Sequence, residues 1–143
     1  KPQLRLMPSV EFGNTIKNAW NIFKKANFGG TVALLQVNED VDEMIQYREI
    51  LQKGQVPLAP LWASDDSEGR LITSSVERVK GLEYDACFII GMEEAENMEM
   101  NFNRNRVYVA LSRPTQRLFM LCKHFPALLH GIRPDLFEVI DAR

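Results

Sequence analysis

Hydrophobic and polar positions along this chain follow two periods in turn. The first clear period is helical. Phe12, Ile16, Ala19, Trp20 and Phe23 fall at i, i+4, i+7, i+8 and i+11, which is one face of a helix. Pro8 and Ser9 open it, Lys24 and Lys25 suit its negative C-terminal end, and Gly29-Gly30 stop it. Ahead of it, Gln3–Met7 alternates and reads as an edge strand. The continuous apolar run Thr31–Val37 then reads as a strand buried on both faces. A second helix follows. Asp40 and Glu43 form its capping box, Val41, Met44, Ile45, Arg48 and Leu51 line one side, and Lys53-Gly54 close it.

The middle of the chain changes character. Residues 55–70 hold two prolines and a polar run, which predicts a loop with one short extended piece at Pro57–Trp62. Trp62 reads as a half-buried anchor. Leu71–Ser75 and Asp85–Gly91 are apolar runs separated by a polar stretch that holds Lys80-Gly81, giving strand, basic glycine-containing loop, strand. Such a loop offers backbone N–H groups, a lysine and hydroxyls to an anion. Residues 93–103 form an acidic, Met- and Asn-rich surface loop leading into a helix near Asn103–Leu111. Arg117–Cys122 is another buried strand, and the C-terminal elements at His124–His130 and Pro134–Ile140 are of open type. Strands alternating with helices predict an α/β fold, with a mostly parallel sheet covered on both faces and ligands met at the carboxyl ends of the strands.

Composition changes this picture little. A chain of 143 residues is one domain by length. The net charge of −2 gives no global attraction to nucleic acid, so any such site must be a local basic patch. No apolar run reaches the length of a membrane span and no signal peptide is visible, which predicts a cytoplasmic protein with no membrane partner. Cys87 and Cys122 sit in predicted strands and read as reduced core thiols. Acidic Glu39, Asp40, Asp42 and Glu43 are explained by a helix N-terminus, and the two histidines lack ligand partners, so no metal site is expected. The chain opens on Lys1, which suggests a piece of a longer protein.

Two blocks carry a family resemblance. Thr73-Ser-Ser-Val-Glu-Arg-Val-Lys-Gly-Leu-Glu-Tyr-Asp85 resembles motif V of the superfamily 1 helicases of the UvrD, Rep and PcrA type. Arg106-Val-Tyr-Val-Ala-Leu-Ser-Arg-Pro-Thr-Gln-Arg-Leu118 is similar to their motif VI, in the family's order and spacing. The resemblance implies the second, C-terminal RecA-like domain of an ATP-dependent DNA helicase or translocase, spanning residues 1–143. It implies an arginine finger at Arg113 and nucleotide contacts at Lys80, Gly81 and Glu83. Thr73, Ser75 and Arg78 are its candidates for contact with single-stranded DNA. An alternative is that Thr73 and Ser75 hydrogen-bond the loop itself.

Three departures qualify the match. Glu77 stands where the family often has histidine, and a carboxylate there repels a phosphate. Pro114 and Thr115 replace the more usual alanine and basic residue, so the finger's aim differs. The sequence also has no G-x-x-x-x-G-K-[ST] loop. The resemblance therefore implies that ATP and Mg2+ are held mainly by an N-terminal RecA-like domain of the same protein. The chain alone is expected to be monomeric, to bind neither tightly and to be inactive. The large domain inserted in UvrD and Rep is absent from this sequence, either naturally or by trimming, which leans toward compact relatives such as RecD-like and HelD-like proteins. The rival expectation is a non-catalytic binding or scaffold module on the same fold.

Overall fold

A computed structural model describes residues 2–26, 30–37, 41–59, 69–75, 84–93, 114–126, 129, 135 and 137–143. Six strands form one sheet: β1 Gln3–Leu6, β2 Val32–Gln36, β3 Leu71–Ser75, β4 Tyr84–Ile90, β5 Pro114–Cys122 and β6 Glu138–Asp141. Two helices, α1 Phe12–Lys25 and α2 Val41–Lys53, connect the first three. The strand order is β3-β2-β4-β5-β1-β6, and every pairing is parallel.

This order explains where the helices go. The β1–α1–β2 and β2–α2–β3 crossovers move the chain the same way across the sheet. Right-handed crossovers in one direction put their helices on one face. Both helices indeed pack in one core layer, with Ile16, Trp20 and Phe23 of α1 and Met44 and Leu51 of α2 against Leu34, Leu71, Phe88 and Ile90. From β3 to β4 the direction reverses. The opposite layer holds Leu4, Leu35, Cys87, Ile89 and Met120, closed by Leu129 and Phe137 from the β5–β6 connection. Each large apolar side chain so buried contributes roughly 1.5–3 kcal/mol.

The first helix matches its pattern. Phe12, Ile16, Trp20 and Phe23 are buried, and Ala19 packs at the margin. A short 3-10 turn at Ser9–Glu11 leads into it. It ends at Lys25, where the Ala26 N–H bonds the Ile22 carbonyl.

Two expectations are corrected. The Gln3–Met7 segment is not an edge strand, because β1 lies between β5 and β6. Helix α2 buries Met44, Tyr47 and Leu51 rather than the wider predicted face, leaving Val41 61% and Ile45 43% exposed. The helix is rolled toward α1, where Tyr47 stacks on Phe12 with ring centroids 6.5 Å apart. Both described helices cover the same face of the all-parallel sheet, and the α/β architecture is the one expected. The extended piece after α2 is present in part: Leu58 bridges Leu71, and Ala59 N–H bonds the Leu71 carbonyl. The strand at β6 falls within the open C-terminal stretch. The Asp40 cap, Trp62, the 103–111 helix and His130 lie outside the described residues.

Candidate nucleotide and nucleic-acid site

The two motif segments meet the sheet at paired positions. Tyr84 begins β4 and Pro114 begins β5, and the register pairs them directly. Glu83 is the residue before Tyr84, and Arg113 the residue before Pro114. The strands that follow the two motif stretches are therefore neighbours in the sheet. Proline at the first position of a strand costs no ladder bond that the strand needs. A register irregularity follows between Tyr84 and Ala86, so the alignment returns at Ala86 opposite Arg117.

Tyr84 and Pro114 are the amino ends of β4 and β5, and Ser75 is the carboxyl end of β3. Lys80, Gly81, Glu83, Arg78 and Arg113 themselves lie outside the described residues.

The last residue of the motif V block fastens this amino edge. Asp85 Oδ2 accepts the Thr31 N–H at 2.7 Å and the Thr31 hydroxyl at 3.3 Å. The Thr31 carbonyl in return accepts the N–H groups of Asp85 and Ala86, each at 3.1 Å. A carboxylate bonded to a backbone N–H is a charge-assisted contact, about twice as strong as a neutral one. Gly30 makes the approach possible: a Cβ there would lie 2.5 Å from Asp85 Oδ2. The motif resemblance gave no role for Asp85. Its signal in the sequence was a lone carboxylate opening an otherwise apolar strand.

Thr73 is the one strand-contact candidate whose side chain is described. It is 2% exposed on β3, and its hydroxyl accepts a bond from Arg48 Nη1 on α2. In this conformation it offers no surface to a phosphate from solvent. Arg48 meets no carboxylate among the described residues, and burial pulls its guanidinium pKa below the ordinary value. Sequence reasoning put Arg48 on the apolar side of α2 without assigning it a partner. An arginine inside an apolar stripe was the available signal, since such a cation must find an acceptor.

The carboxyl edge carries two more buried polar groups. Gln36 ends β2 at 2% exposure, and Glu93 just beyond β4 is 5% exposed. Glu93 accepts the Lys123 N–H at 2.9 Å and so ties the ends of β4 and β5. The expected acidic surface loop thus begins with a buried residue. Among the described residues no group of three His, Cys, Asp or Glu side chains could hold a metal ion. Cys87 and Cys122 are buried and in no disulfide with a described residue. No helix among the described residues is long and apolar enough to cross a membrane.

No curated protein matches the chain. Among solved structures, the C-terminal domain of a possible DNA helicase from Lactobacillus plantarum WCFS1 superposes with a TM-score of 0.80 at 18% identity. The match covers 96% of this chain and 84% of that one, and it shows a shared fold. The family model of the UvrD-like helicase C-terminal domain matches residues 71–121, the span from β3 to β5 that holds both motif blocks.

Proposed function

We propose that this chain is the second RecA-like domain of an ATP-dependent DNA helicase or translocase. In this reading it completes an ATP site shared with an N-terminal RecA-like domain of the same protein. The observation that carries the reading is the pairing of Tyr84 with Pro114. It supports convergence of the two motif segments on one edge of the sheet.

The donor set fits the phosphate end of a nucleotide. Arg113 and Lys80 bring positive charge, Gly81 lets backbone N–H groups approach, and Glu83 supplies an acceptor for a ribose hydroxyl. ATP, when bound with Mg2+, supplies the phosphoryl group whose transfer drives movement. Arg113 holds its charge toward the transferring group across the cleft. Ser75 and Arg78 grip single-stranded DNA, while Thr73 acts from inside by fixing Arg48 against β3. The segment between Ser75 and Tyr84 joins the two tasks, since it connects the strand grip to the nucleotide edge.

The test is Arg113→Ala in the full-length protein. An arginine finger contributes about 10³-fold or more to turnover. A loss of that order in ATP hydrolysis, with the domain still folded, supports the reading. Turnover near that of the unsubstituted protein would replace it with the scaffold reading.

A further inference from the structure

Beside α1 the sheet floor is open. A cleft of about 570 Å3 lies there, with α1 as its wall and β1 and β5 as its floor. It contains an ordered row of four side chains. The Arg5 guanidinium lies 5.4 Å from the Phe119 ring centroid. Phe119 and Phe23 are 6.2 Å apart, and the Arg117 guanidinium lies 5.7 Å from Phe23. Two cations therefore stand at the ends of an aromatic pair, each held over a ring face by the ring's quadrupole.

No described residue neutralises either cation. Gln3 Oε1 accepts from Arg5 Nε at 3.1 Å and from Nη2 at 2.9 Å. A neutral amide fixes the plane of the guanidinium and leaves its charge intact. Arg117 meets no hydrogen-bond or carboxylate partner among the described residues, and no acidic residue lines the cleft. Glu138, opposite Gln3 in the register, bonds neither arginine. The whole chain has more acidic than basic residues, 19 against 17, so this is a local basic site on an acidic background. Asn18 adds an exposed amide and Ile22, 63% exposed, an apolar rim.

Guanidinium edges and amides are the groups that position phosphates, and guanidinium faces stack on unpaired bases. We propose that this cleft is a second contact for single-stranded nucleic acid, with Arg5 and Arg117 each taking a backbone phosphate. It lies apart from the motif V strand, because β3 and β5 are separated by three strand spacings, roughly 14 Å. The proposal rests on the reading of the chain as a nucleic-acid-handling domain.

The test is anisotropy of a labelled oligothymidylate with the 143-residue chain across a salt series. Arg5→Gln and Arg117→Gln should each weaken binding several-fold and flatten the log–log salt slope by about 0.7. Gln3→Glu, which sets a carboxylate against Arg5, should act like Arg5→Gln, while Arg117→Lys should keep the slope. Thermal melts confirm that each variant is folded. Unchanged affinity and slope in both glutamine variants, with Arg78→Ala still weakening binding, would overturn the cleft and leave the proposed function standing. Absence of binding by the unsubstituted chain at low salt would overturn both. Equal displacement by polyglutamate of matched charge would assign the cleft to an acidic protein instead.

Discussion

Arg48 on α2 donates to the hydroxyl of Thr73 on the edge strand β3, and this is the only hydrogen bond the guanidinium makes to a described residue. The bond crosses from a helix to the strand that leads into the motif V segment. Removing one partner leaves the other stranded, which costs about 1–3 kcal/mol, whereas replacing both by apolar groups is nearly neutral. Arg48→Met and Thr73→Val should therefore each destabilise the fold by about that amount. The double variant should cost less than the sum by about 1 kcal/mol or more. Denaturant midpoints of the four proteins decide this, and strict additivity would show the bond contributes nothing.

What was legible in the sequence depended on range. The strands at Leu71–Ser75 and Tyr84–Ile90 announced themselves, because a strand buried on both faces needs a continuous apolar run and few other segments have one. Helix α2 offered two overlapping stripes, and only contact with Phe12 of α1 selected the one holding Tyr47. Strand β6 has the exposure of a sheet edge, with Val139 47% exposed, so its pattern carried little signal. At the site, residue types were readable but pairing was not. Tyr84 meets Pro114 through a register with an irregularity, and Arg5 meets Phe119 across most of the chain.

The Gly30–Asp85 approach gives a second prediction. A methyl at residue 30 would meet Asp85 Cβ at 2.7 Å as well as its carboxylate, so a rotamer change alone does not make room. Gly30→Ala should destabilise by about 1–3 kcal/mol through overpacking. The amide of Thr31 should lose hydrogen-exchange protection, because its 2.7 Å bond to Asp85 is displaced. Protection equal to that of the parent protein would mean the loop moves aside freely.

Asp141 allows a pH prediction. Hydrogen bonds from Arg143, whose guanidinium lies 3.0 Å away, hold the carboxyl pKa down from 3.8 to about 2. A depressed folded pKa contributes stability above the unfolded value and loses it as pH falls through the folded one. The window is therefore about pH 4 down to pH 2. The pair is fully exposed and only two residues apart, so it can form in the unfolded chain as well. Carbon-detected titration should place the Asp141 midpoint near 2. Asp141→Asn should leave the acid-unfolding midpoint unmoved, and a clear shift would show that the pair forms only in the folded state.

Pro114 allows the proposed finger to be tested without touching it. A proline restrains the residue before it to extended backbone, so Pro114 is expected to set how Arg113 enters β5. It also opens the strand opposite Tyr84, where its missing N–H is tolerated. Pro114→Ala should change stability by no more than about 1 kcal/mol, because it mainly frees the unfolded chain. In the full-length protein it should lower kcat for ATP hydrolysis while leaving KM nearly constant. A group that acts only in the transition state affects the first and not the second. A misaimed finger of this kind costs about tenfold or more. Turnover that follows stability alone would mean that Arg113 reaches its place without the proline's guidance.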